Sequence, residues 1–355
     1  MHSVQGFARP HRLARGHKCA KGTSRRVVLA AAVGFALPFL PRFAGAAETI
    51  WRIAHNAPTD FAMHVRLVEA ADAIATRSEG RMAVRIFPNS ELGIPVGLLA
   101  QLRAGTIDAV PLAGQMLAED LSVVGLPMVG FAFPGYDRLW PAIDGDLGNF
   151  IRAQITERLG LVAMDRCWDF GFRQIITSGK TVNTAADMDG LRLRAPQDAN
   201  FIRLFQALKA LPVTMPLNGL TRALSSHSVD GLESVVPLVK AAGLFRVLSD
   251  CALTNHVWDG QWLCVSGKSW AKLPAKLKDV VALALNESGL HQRQDTADAE
   301  LKVRQELEAT GLKFNTVDPN GFRSALRKSG YYDAWHVKMG DNAWAALEKY
   351  SGRLT

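Results

Sequence analysis

Apolar and polar positions repeat along this chain with two periods, near two in some stretches and near 3.6 in others, and the changes of period mark its elements. Thr49 to His55 alternates as an opening strand, left through the turn Asn56-Ala57-Pro58. From Asp60 to Thr76 the spacing predicts a helix with Phe61, Val65, Val68, Ala71 and Ile74 on its inner face and Gly80 just beyond its end. Met82 to Phe87 reads as a strand, Gly97 to Ala104 as a helix and Ile107 to Leu112 as a buried strand. A helix over about Tyr136 to Leu159 leads into an extended segment, Leu161 to Phe172, where Trp168, Phe170 and Phe172 share one face by period-two spacing.

The pattern is clearest between Leu191 and Glu233. Leu191 to Ala195 alternates, and Pro196 stops the strand because proline cannot extend the ladder. Phe201, Leu204, Phe205 and Leu208 line one face of a helix over about Ala199 to Ala210, and Pro212 to Pro216 gives a second strand. A helix holding Leu220 and Leu224 and a third strand from Val229 to Glu233 complete a βαβα unit. Such alternation implies a parallel or mixed sheet, whose ligands settle beyond the carboxyl ends of the strands. Arg194 stands at one such end. Its planar guanidinium can grip a carboxylate through two parallel hydrogen bonds; a structural ion pair is the alternative. Arg192 reads as a surface charge. Further on come a helix over about Pro237 to Phe245 and an extended segment from Thr254 to Ser266. Lys276 to Thr310 reads as one long helix carrying Leu277, Val280, Val281, Ala284, Ala297 and Leu301, with Gly289 its one strong breaker. The tail holds a strand near Leu312 to Val317 and two amphipathic helices.

Charge changes the picture only at the start. Eight of the 41 Lys and Arg lie in residues 1–46, which contain no acidic residue, so the rest of the 355-residue chain balances its 33 acidic residues and the formal +8 belongs to the leader. A nucleic-acid surface is therefore not expected in the folded part. The leader has a basic start, Ser24-Arg25-Arg26-Val27-Val28-Leu29, an apolar run to Leu40 and a small-residue end, Ala44-Gly45-Ala46. It reads as a signal peptide cleaved near Ala46, exported by the twin-arginine or the general route, and it is too short to span a bilayer permanently. Cys167, Cys251 and Cys264 remain; a Cys251 to Cys264 bridge and free buried thiols are both open.

Catalytic motifs are missing. Ser178-Gly179-Lys180-Thr181 lacks the upstream glycine of a phosphate loop, because Gln174 stands there. No Gly-x-Ser-x-Gly elbow or His-Glu-x-x-His helix occurs, and Asp230 and Glu233 fall on opposite strand faces. Neither a cofactor nor a metal is expected.

Gly190-Leu191-Arg192-Leu193-Arg194-Ala195-Pro196, Pro212-Val213-Thr214-Met215-Pro216 and Val229-Asp230-Gly231-Leu232-Glu233 together resemble the solute-binding proteins of TRAP transporters, the DctP-type family. The resemblance implies a two-domain α/β periplasmic-binding-protein fold of type II character, with an interdomain cleft, hinge strands and a long helix spanning both domains. It implies lobes at 47–170 plus about 259–298 and at 171–258 plus about 299–355, and no enzymatic activity. It gives Arg194 the ligand carboxylate, Arg173 a second contact, and Asn56 and Ser234 polar contacts; Trp168, Phe172 and Trp258 would shape an apolar end. The ligand would be an apolar or aromatic 2-oxo monocarboxylate or a C4-dicarboxylate, handed to the membrane permease subunits. Pro95 and Ala113 replace acidic, hydroxyl-binding residues of relatives that bind sialic acid, and Ser234 stands where many relatives have asparagine, which disfavours a polyhydroxylated sugar acid. A binding protein of another importer or a sensor, and a secreted enzyme on a similar scaffold, are the alternatives.

Overall fold

The computed structural model describes residues 47–355; the leader and its expected cleavage point lie outside the described residues. The first run is β1 (Thr49–Ala54), α1 (Ala62–Arg77), β2 (Met82–Phe87), α2 (Pro95–Ala104), β3 (Ala109–Ala113) and α3 (Gly114–Asp120). Then follow α4 (Tyr136–Ile143), α5 (Asp146–Leu159), β4 (Leu161–Ala163) and β5 (Trp168–Thr177). The second run is β6 (Arg192–Ala195), α6 (Ala199–Ala207), β7 (Leu211–Thr214), α7 (Leu220–Ser225), β8 (Gly231–Ser234) and α8 (Val236–Ala241). The chain closes with β9 (Asp250–Ser266), α9 (Gly267–Lys272), α10 (Ala275–Ala309), β10 (Lys313–Thr316), α11 (Pro319–Lys328), α12 (Tyr331–Met339) and α13 (Asp341–Ser351).

The strands form one sheet in the order β2-β1-β3-β9-β5-β8-β6-β7, with β4 and β10 also paired to β9. β1 lies parallel to β2 and β3, and β6 parallel to β7 and β8, so two parallel sets exist as the βαβ pattern requires. β5 and β9 run antiparallel between them and join the two α/β domains. The register fixes where the sets point. β3 advances from Val110 opposite Cys264 to Ala113 opposite Gln261, and β8 from Gly231 opposite Thr177 to Ser234 opposite Gln174. Both sets therefore aim their carboxyl ends at the middle of the crossing.

α10 spans 35 residues and runs through Gly289 unbroken. The glycine is needed for close approach, because a Cβ there would sit 2.9 Å from Trp168 Nε1. Its first half buries Leu277, Val281, Ala284 and Leu285 against α1 and β1, each large side chain contributing about 1.5–3 kcal/mol. Over the crossing the buried face turns polar: Gln292 accepts from Asp169 N at 2.7 Å and donates to Asp169 O at 2.6 Å. Arg293 donates to Cys167 O at 2.8 Å and to both oxygens of Asp144. These bonds satisfy backbone groups of the crossing strand that would otherwise be buried unpaired. Ala297 and Leu301, expected on the inner face, are exposed instead, because the sheet is reached here by Gln292, Arg293 and Thr296.

Other details depart from the sequence reading. The buried face of α1 is Met63, Leu67, Ala70, Ala71 and Ile74, while Val65 and Val68 are exposed, so the stripe is rotated by about one residue. The helix expected over Tyr136 to Leu159 is two helices, α4 ending at Ile143 just after Pro141, which can give no amide hydrogen to the ladder. Cys251 and Cys264 lie at opposite ends of β9, 13 residues apart on one strand and roughly 43 Å at the usual rise, and all three described cysteines are free and buried. No helix of the described residues is long and apolar enough to cross a membrane.

Candidate functional site

Arg194 is the third residue of β6, one step from the strand end, and its side chain is 8% exposed. Its Nε donates to the carbonyl of Met215, the residue after β7, at 3.0 Å. That bond fixes the guanidinium plane and leaves the two terminal nitrogens as a fork. Among the described residues no carboxylate lies within ion-pair distance of it. Burial lowers its pKa, Glu233 opposes that effect and Arg173 adds to it, but an arginine stays charged at any physiological pH. A buried, oriented and unpaired cation is costly unless an anion arrives.

Arg173 lies on β5 opposite Val257 and is equally buried, yet every nitrogen is engaged. Nε and Nη2 reach Glu233 at 2.5 and 2.7 Å, and Nη1 reaches Asp259 at 2.7 Å. The guanidinium also lies over the Phe201 ring, 5.0 Å from its centroid. His256 Nε2 is 3.4 Å from Glu233, and its Nδ1 is 2.8 Å from the Thr254 hydroxyl. Burial would raise the Glu233 carboxyl, but Arg173 and the His256 contact outweigh it and hold the pKa at about 2. At Asp259 burial prevails over Arg173 and the pKa rises. Burial likewise lowers the His256 pKa, Glu233 notwithstanding, so the imidazole is neutral at pH 7. Arg173, to which the family resemblance assigns a second ligand contact, is paired here with two protein carboxylates.

Ser234 ends β8, buried beside Gln174 at the same crossing. Asn56 is exposed in the turn leaving β1, at the end of the other parallel set. The aromatic residues expected to shape an apolar end are all buried. Trp168 is fully buried beneath α1 and α10, and Trp258 is buried with its Nε1 donating to Asp169 at 2.8 Å. Phe172 is buried edge-on to Tyr136 and borders a cavity of about 470 Å³ beside Glu300 and Arg304 of α10. The expected common face of Trp168, Phe170 and Phe172 is broken by a bulge between Asp169 and Phe172, where Gly171 takes φ +99°. Trp168 and Phe170 consequently pack with one core and Phe172 with another.

A groove of about 370 Å³ runs between the start of α1 and the start of α8, walled by Phe61, Met63, Phe170, Val235 and Pro237. Phe61 and Phe170 stack there, 6.1 Å between centroids. Arg194 is not among its lining residues, so the assignment of the site rests on the unpaired guanidinium and the converging strand ends, not on this groove. Sequence reasoning missed Asp259 and the pairing role of Glu233. The available signal was an acidic residue inside an apolar strand, which demands a buried partner.

Two α/β domains joined by crossing strands, with Arg194 at the converging strand ends and no carboxylate among the described residues within ion-pair distance of it, are an arrangement suited to a receptor for a small anion. The chain matches the DctP family, bacterial extracellular solute-binding protein, family 7, over residues 53–330, and belongs to it. It is a TRAP-type solute-binding protein of the extracytoplasmic side, and the family is one of receptors and not of enzymes, which removes the enzyme alternative. A solute-binding protein of Roseobacter denitrificans is 27% identical over 284 residues, covering 79% of this chain and 86% of that protein. A TRAP periplasmic solute binding protein from Ochrobactrum anthropi, solved with its C-terminus in the ligand binding pocket, superimposes with a TM-score of 0.81 at 23% identity, covering 87% of this chain and 97% of that one. Another from Roseobacter denitrificans, solved with bound β-D-glucuronate, gives 0.76 at 23% identity, covering 85% and 99%.

Proposed function

We propose that this chain captures a small organic acid in the periplasm and delivers it to a TRAP membrane permease, with Arg194 as the carboxylate clamp. The observation that carries this reading is the buried guanidinium whose Nε is committed to Met215 and whose remaining fork has no protein anion. A carboxylate meeting that fork would complete a bidentate pair in a setting of reduced dielectric. The β-D-glucuronate in one structural neighbour is an acid of this kind. The lobes run over 47–170 plus about 259–298 and over 171–258 plus about 299–355, the export signal being removed near Ala46. Asn56 from the first lobe and Ser234 from the second offer polar contacts across the cleft, and lobe closure excludes water from the ion pair.

The test is calorimetry on the exported chain after a thermal-shift screen of organic acids has supplied a binder. Arg194→Ala is expected to cost on the order of 3–5 kcal/mol of binding while leaving the fold intact. Affinity within about tenfold of the wild type, roughly 1.4 kcal/mol, removes Arg194 from the role.

A further inference from the structure

The charges around Arg194 limit the ligand to which this proposed site answers. The groups facing it are Glu233 and Arg173, and Arg173 in turn holds Glu233 and Asp259. His256, against Glu233, is neutral. Both carboxylates are thus paired with Arg173, and Arg194 has no direct ion-pair partner among the described residues. Among the described residues no other charged group acts on Arg194; Arg203 and Lys338 line a cavity with Asp198 that Arg194 does not line. The residues leaving β1, β2 and β6 include Asp60, Glu91 and Asp198, and Asp198 is spent capping α6. Lys240, on the wall of the neighbouring groove, is tied to Glu306.

From this arrangement we infer that the site is built for a monocarboxylate: Arg194 takes the one carboxylate, and a second carboxylate on the same ligand is rejected. The inference rests on the Arg194 reading and deepens it. The first carboxylate replaces water at an unpaired cation. A second would enter beside Glu233 and Asp259 with no cation to receive it, since Arg173 is already paired through Nε, Nη1 and Nη2. Like charges at that range disfavour the complex, and this is specificity by repulsion. The polar body of the ligand must be uncharged.

The experiment compares probes of one skeleton differing only in the second charge: succinamate with succinate, and glutaramate with glutarate. Calorimetry at pH 7 on the exported chain is expected to give the monoanion at least a tenfold tighter Kd in each pair that binds. Asp259→Asn, which keeps an acceptor for Arg173 but removes a charge, is expected to narrow that ratio by strengthening the dianion; Glu233→Gln serves if the first variant is unstable. Kd values within threefold in a pair, a tighter dianion, or a ratio unmoved in both variants overturns the inference and leaves the carboxylate clamp standing. No binding by any probe, or binding undiminished in Arg194→Ala, sinks the clamp itself and the selectivity with it.

Discussion

The crossing of β5 and β9 and the strand ends beside it each bury an arginine to the same extent, 8% exposed, and the two regions use that charge in opposite ways. At the crossing, Arg173 is closed on itself by Glu233 and Asp259. At the strand end, Arg194 is held by one carbonyl and left open. Burial and residue type do not separate a structural arginine from a binding one; the partner does. On the proposed reading, a charge whose neighbours already neutralise it serves the fold, and one that the fold orients without neutralising awaits a ligand.

The sharpest way to break that contrast is to remove each arginine and measure stability. Arg173→Ala strands two buried carboxylates and is expected to cost on the order of 3–5 kcal/mol in urea denaturation, whereas Arg194→Ala strands none and should stay within about 1 kcal/mol of the wild type. Comparable losses from both would abolish the distinction. Arg194→Lys keeps the charge but not the planar fork, so ligand binding should weaken by roughly 1–3 kcal/mol, an intermediate value calorimetry can resolve.

The Glu233 pair also has a pH signature. Its folded pKa of about 2 lies below the ordinary 4.5, so its contribution is fully present above pH 4.5 and is lost as the pH falls toward 2. The stability gap between wild type and Glu233→Gln, on the order of 1–3 kcal/mol near pH 6, should close over that window. A gap constant from pH 6 to 2 would mean that the carboxylate is not ion-paired. The smallest effect expected concerns α10: Leu301→Ala, at an exposed position, should change stability by less than about 0.5 kcal/mol, against about 2–5 kcal/mol for the buried Leu285→Ala.

Much of the architecture was legible because local patterns carried it. The alternation around Leu191 to Glu233 yielded β6, α6, β7, α7 and β8, and Pro196 marked the strand end where Arg194 stands. α10 was visible over nearly its whole length. What escaped depends on partners distant in the chain. The polar stretch of α10 from Ser288 to Thr296 follows from the backbone of Asp169 and Cys167 beneath it, and no helical period announces that. The bulge at Gly171 is a property of β5 against β9, so simple alternation placed Trp168 and Phe172 on one face. The occupation of Arg173 depends on Glu233 and Asp259, 60 and 86 residues away. The site could be read as a position but not as a charge balance.

β9 carries 17 residues without interruption from one half of the molecule to the other, and α10 lies across the same gap. A rotation of one half against the other would meet no slack loop at this strand; its own bulge against β5 lies at one place, opposite Arg173 to Ile175, where Asn255 takes φ +44°. Such a member would spread a twist along its residues, most readily at that irregular point. Substitutions that stiffen it, proline above all, should therefore impair opening and closing from anywhere along its length, including positions far from the bound solute.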